Sequence, residues 1–89
     1  MMNSKTDILD KVCYTNLVYG RINKKLNTKY TEAEIEKLVI DIITDTNEKE
    51  FLKRGKNIYI TDRERNIRIT VNSYTHRIIT ADAVTKMAL

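Results

Sequence analysis

Residues 53–81, KRGKNIYITDRERNIRITVNSYTHRIITA, decide the fold. Ile58 and Ile60 alternate with Tyr59 and Thr61. After the polar stretch Asp62–Asn66, Ile67, Ile69 and Val71 alternate with Arg68, Thr70 and Asn72, and a second polar stretch, Asn72–His76, leads into Ile78-Ile79-Thr80. Side chains that change face at every residue make such runs strands with one apolar and one polar side, the pattern of an antiparallel sheet lying with one face on a core. Phe51-Leu52 is read as the start of a further strand leading to Gly55. A tight turn needing positive φ there presents Lys56 and Asn57 at its tip. Three or four strands alone hide too little apolar surface, so the isoleucine face requires a covering layer.

That layer is supplied upstream. Ile8, Leu9, Val12 and Cys13 fall on one face of a short helix beginning near Ser4 or Thr6, and Cys13 reads there as a small core residue. Thr15 can cap a second helix carrying Leu17, Val18, Ile22 and Leu26. Gly20 inside it costs about 1 kcal/mol relative to Ala and suggests close helix approach or a boundary. Thr31-Glu32-Ala33-Glu34 is a capping box, followed by the apolar stripe Ile35, Leu38, Val39, Ile42 and Ile43, ending near Thr46-Asn47. The expectation is a single α+β domain over 1–89. Two to three N-terminal helices (about 4–47) pack on one face of a three- to four-stranded antiparallel sheet (about 50–81). The tail from Asp82 to Leu89, with Val84, Met87 and Leu89, reads as a short C-terminal helix.

Composition narrows the function classes. Eighty-nine residues with no Pro and two Gly make one ordered domain, and no apolar run approaches the ~18 residues of a membrane span. The N-terminus lacks the apolar core and cleavage site of a secretory signal, and one cysteine allows neither an intrachain disulfide nor a thiolate zinc cluster. A cytoplasmic protein off the membrane, monomeric or homodimeric, without metal or cofactor, is expected. Asp41 and Asp45 stand four apart on the main helix with Glu48 and Glu50 after them, but no His joins them, and solvated helix carboxylates are the commoner reading. Arg54-Gly55-Lys56-Asn57 has one Gly and no helix after it, unlike a phosphate-cradling loop.

Charge is unevenly spread. Residues 1–47 hold seven basic and seven acidic side chains, while residues 48–89 hold nine and five, so the whole net +4 lies in the second half. Five of the six arginines are there: Arg54, Arg63, Arg65, Arg68 and Arg77. Arg grips phosphate bidentately and stacks on bases, which Lys does not. The cluster reads either as a nucleic-acid footprint or as the solvated rim of a sheet.

The runs R-G-K-N-I-Y, I-T-V-N and I-I-T-A resemble those of a family of small bacterial proteins known as domain of unknown function 3781. The resemblance covers roughly residues 15–82 and is strongest over Arg54–Ala81. It departs at Ser73-Tyr74-Thr75, two positions earlier than the family pattern. It departs again at Asp82, where a basic residue or His is the family's. It implies a helical front and the β-rich back, and no activity.

Alternation puts Tyr59, Arg68, Thr70 and Asn72 on one outward face, with Thr61. Arg54, Lys56 and Asn57 in one turn, and Tyr74 and Arg77 in the other, border it. An aromatic beside arginines and small polar groups suits stacked bases with backbone phosphates, so RNA or DNA is the first candidate partner. An acidic protein, bound on the same face or along an open sheet edge, or a second copy of the chain in a regulatory dimer, is the next. The sharper alternative is a metal-independent endoribonuclease of toxin type, with His76 as base or acid and Arg68 and Lys56 as cations on the phosphorane. Against it, a lone His in a turn is more often a solvated loop residue.

Overall fold

The computed structural model describes residues 5–84. Helices α1 (Lys5–Lys11), α2 (Asn16–Leu26) and α3 (Glu32–Asp45) are followed by a 3₁₀ turn at Glu48–Glu50. Strands β1 (Leu52–Arg54), β2 (Asn57–Asp62), β3 (Ile67–Asn72) and β4 (Ile78–Ala83) come next. The strands form one antiparallel meander in the order β1-β2-β3-β4. The expected α+β architecture is the observed one. The sequence-based C-terminal helix differs: Asp82 and Ala83 continue β4, and residues 85–89 lie outside the described part.

Helix α3 forms where the capping box predicts. The Thr31 hydroxyl accepts from the Glu34 amide at 3.1 Å and the Glu34 carboxylate from the Thr31 amide at 2.8 Å. The helix buries Ile35, Val39, Ile42 and Ile43 against Ile58 and Ile60 of β2 and Ile69 and Val71 of β3. Each such isoleucine removed from water contributes about 1.5–3 kcal/mol. Helix α1 packs on α3, and α2 packs on β4 and α3, so all three helices cover one sheet face. Tyr14 stacks on Tyr19 (5.6 Å between centroids), whose hydroxyl donates to Glu36 at 2.6 Å. That hydrogen bond, with partial desolvation, pushes the Tyr19 hydroxyl up to about 12. No helix among the described residues is long and apolar enough to cross a membrane.

The turns obey local rules. Gly55 has φ +59, as expected, and opens a two-residue loop between paired Arg54 and Asn57 in the manner of a type II′ turn. Asn27 takes the left-handed conformation at the end of α2, and the Asn23 side chain pins the following loop by accepting from the Thr28 hydroxyl and the Tyr30 amide. Register slips between Thr70 and Val71 of β3, so both Ile78 and Ile79 stand opposite Val71. This bulge explains two adjacent isoleucines in an otherwise alternating strand.

Three sequence readings are corrected. Cys13 is not a core residue of α1: it is exposed beyond the helix, where its amide donates to the His76 carbonyl and its carbonyl accepts from the Ile78 amide. Leu17, placed on the apolar stripe of α2, is 79% exposed, because the inward face of the helix is made by Val18 and Ile22, with Tyr19 and Leu26 packed beside them. Gly20 marks neither a boundary nor a close approach, since a Cβ built there meets nothing within 4 Å. Gly20→Ala is therefore expected to stabilise the protein by about 0.5–1 kcal/mol, read as a raised urea midpoint with unchanged slope; a loss would mean that the helix needs its glycine.

Candidate functional site

The face of the sheet turned away from the helices carries, in register, Leu52 of β1, Tyr59 of β2 and Thr70 of β3. One pair further along it carries Thr61 and Arg68, with Asp82 of β4 beyond. The chain before β1 closes one side. The Asn47 side chain accepts from the Lys49 amide at 2.9 Å, tightening the 3₁₀ turn, and Phe51 packs against the core. The result is a groove of about 700 Å³. Its walls are Leu52 and Arg54 of β1, Tyr59 and Thr61 of β2, Arg68 of β3, Arg63 of the β2–β3 turn, and the Lys49–Phe51 segment.

Four cations and one carboxylate, Glu50, line it. The Arg68 guanidinium donates from Nε to the Thr61 hydroxyl at 3.1 Å, which orients it within the groove. Asp82, opposite Arg68 in register, is instead 2.9 Å from Lys25 of α2. Neither Arg54 nor Arg68 has an ion-pair partner among the described residues. Arg63 Nε stands 3.6 Å from Glu50 with both side chains well exposed, a contact worth little in water. Four cations against one carboxylate leave the groove net positive, with the Tyr59 ring among its walls.

Beside it, sharing Glu50, Thr61 and Arg63, lies a smaller cavity of about 280 Å³ bordered by Asp45, Asp62 and Glu64. Asp62 is buried and holds the β2–β3 turn. It accepts from the amides of Glu64 (2.9 Å) and Arg65 (3.1 Å) and from the Arg65 guanidinium, which also reaches Asp45 at 3.0 Å. Burial alone would raise the Asp62 carboxyl, but the two amides and the guanidinium outweigh it and hold the group below the usual carboxylate range.

Of the residues singled out from sequence, the groove takes Arg54, Tyr59, Thr61 and Arg68. Thr70 shares the face but is 5% exposed, a floor between Tyr59 and Thr80. Asn57 donates a long hydrogen bond to the Tyr59 hydroxyl at 3.5 Å. Asn72 spends its side-chain oxygen on the amides of Tyr74 (2.8 Å) and Thr75 (2.9 Å), fixing the β3–β4 turn. Exposed Tyr74 sits in that turn, with Lys53 Nζ 6.0 Å from its ring centroid. Lys56 lies at the same end, its carbonyl accepting from the Ser73 amide at 2.7 Å. His76 is buried there in a left-handed conformation, φ 61, and Arg77 is exposed beside Cys13. Arg68 stands at the opposite end, four residues before Asn72, which is roughly 13 Å of strand. The fold brings Lys56 toward the turn that holds His76 but does not bring Arg68 to them.

Sequence reasoning did not place Lys49, Glu50, Phe51 or Arg63 in the site. Only for Leu52 was there a signal: with Gly55 as a turn, period 2 puts Leu52 and Arg54 on one face with Tyr59. Among the described residues no group of three His, Cys, Asp or Glu side chains is arranged to hold a metal ion. A family model described as "Protein of unknown function (DUF3781)" matches residues 6–82. No curated protein and no solved structure matches the chain.

Proposed function

The chain belongs to the DUF3781 family of proteins of unknown function, and from that membership, which brings no activity with it, we propose that it is a binding module for single-stranded nucleic acid, RNA first. The observation that supports this is the Tyr59 ring lying in one groove with Arg54 and Arg68. A base freed from its stack covers the ring, and the guanidinium groups take the flanking phosphates. Lys49 and Arg63 extend the positive wall along the strand's path.

Binding, rather than cleavage, is the reading favoured by the site, because His76 and Arg68 stand at opposite ends of β3. An acidic protein is the second reading, supported by the outer edge of β1, whose three residues are all exposed and, among the described residues, pair on one side only.

The test is fluorescence anisotropy of a labelled single-stranded RNA of mixed sequence. Log affinity is expected to fall linearly with log salt at a slope of about −2 to −3, from up to four phosphate contacts at roughly 0.7 each. Tyr59→Leu should weaken binding about tenfold without changing that slope, since it removes stacking and no charge. Absence of binding at low salt removes the proposal. Equal binding of an acidic peptide, indifferent to Tyr59, transfers the groove to a protein partner.

A further inference from the structure

We infer that Glu50 makes the groove selective for guanine, an inference that rests on the nucleic-acid reading above. Glu50 is the one carboxylate among the four cations of the groove, and it also borders the neighbouring acidic cavity. The other acids of that cavity are differently engaged. Asp62 and Asp45 both hold the Arg65 guanidinium, and Glu64 lies out of the groove. Among the described residues the Glu50 carboxylate faces Arg63 Nε alone, at 3.6 Å, beyond a hydrogen bond of normal length, so its two oxygens keep acceptor capacity. Its backbone is fixed, since its amide donates to the Asn47 carbonyl at 2.9 Å and the next residue, Phe51, is anchored against the core.

A carboxylate carried on an anchored backbone among four cations repels phosphate and rewards a neutral group with two adjacent N–H donors. Among the bases guanine presents that pair, N1–H and the N2 amino group, to the two oxygens of one carboxylate. Uracil offers one N–H between two carbonyls, which the carboxylate disfavours. A guanine stacked on Tyr59 with this edge toward Glu50 leaves its own phosphates to Arg54 and Arg68. Glu50 therefore acts on which base enters, while the cations act on any strand.

Two labelled RNAs of equal length decide the matter, one all uridine and one with a single central guanosine, titrated against the wild-type protein, Glu50→Gln and Glu64→Gln. The guanosine strand is expected to bind the wild type about tenfold more tightly, a typical value for one well-made base contact. Glu50→Gln should erase the preference while binding the uridine strand at least as well, because a negative charge has left a cationic groove. Glu64→Gln should keep the preference. Equal binding of both strands by the wild type, or a preference surviving in Glu50→Gln or lost in Glu64→Gln, overturns the selectivity and leaves the nucleic-acid reading standing. Failure of both strands to bind overturns the two together.

Discussion

Asp62→Ala should lower the unfolding free energy by about 2–3 kcal/mol at neutral pH, for a residue with no apolar side chain to lose. Removing one partner of a buried pair typically costs about 3–5 kcal/mol, and the lower figure applies because Arg65 is one-third exposed and keeps Asp45. The amides of Glu64 and Arg65 also lose their acceptor. For a domain of this size the change corresponds to a melting temperature lower by roughly 10–20 °C. Its pH dependence has a definite sign. The folded-state carboxyl lies below its unfolded value of about 3.9, so the folded state binds fewer protons than the unfolded one in the window between the two. The stabilisation is full above about pH 4–5 and drains away as pH falls through the folded value. Melting curves of wild type and Asp62→Ala should therefore converge toward acid. Asp62→Asn, which keeps an acceptor for the turn amides, should lose less at neutrality. A wild-type-to-Ala gap of constant size down to the lowest pH would mean that the charge contributes nothing.

Arg54→Ala combined with Arg68→Ala should cost at least about 100-fold in affinity for single-stranded RNA at low salt, taking a charge-assisted contact as about 1.5–3 kcal/mol each. The salt slope should become shallower by about 1.4, two contacts at roughly 0.7. Both side chains are exposed, so stability should stay within about 0.5 kcal/mol of wild type, and the loss is then one of binding. Arg77→Ala is the informative control. It removes an equally exposed guanidinium from the second half of the chain, but one at the β3–β4 end beside Cys13. Equal loss from Arg77→Ala would show that diffuse charge, and not the groove, attracts the strand.

The contrast between Arg77 and Arg63 also marks how far the sequence could be read. Strand assignment and inward placement of Ile58, Ile60, Ile69 and Val71 were legible, because alternation and burial are consequences of the same two-residue period. So was the start of α3, where the capping box is a local hydrogen-bond motif. Tyr59, Thr61 and Arg68 were legible as one face for the same reason, and Arg54 as part of a turn bordering it. What local pattern cannot carry is which segments meet in space. Lys49 and Phe51 join the groove because the Asn47-capped turn folds the chain alongside β1. His76 leaves the face because a left-handed residue and the Cys13 bridge draw it inward. Leu17 and Cys13 were misread because helical spacing alone was asked to decide depth, and depth belongs to the layer that the helix meets; Gly20 was misread because a propensity cost does not say what lies beside the residue. Asn72 has the right face and the wrong employment: its oxygen is already committed to its own turn.

The two borders of the sheet are unlike. Along β4 the Cys13 backbone pairs at Arg77, Arg21 Nη1 donates to the Ile79 carbonyl at 3.2 Å, and Lys25 reaches Asp82, so the Cys13 segment and α2 together occupy part of that side. Along β1 nothing among the described residues pairs with the outer side, and Lys53 and Arg54 stand there. Stacking strands into an endless ribbon demands an accepting border and a donating one on every unit. Should a second molecule join through β1, the contacts already made at Ile78 and Ile79 would stand against a third at the other border.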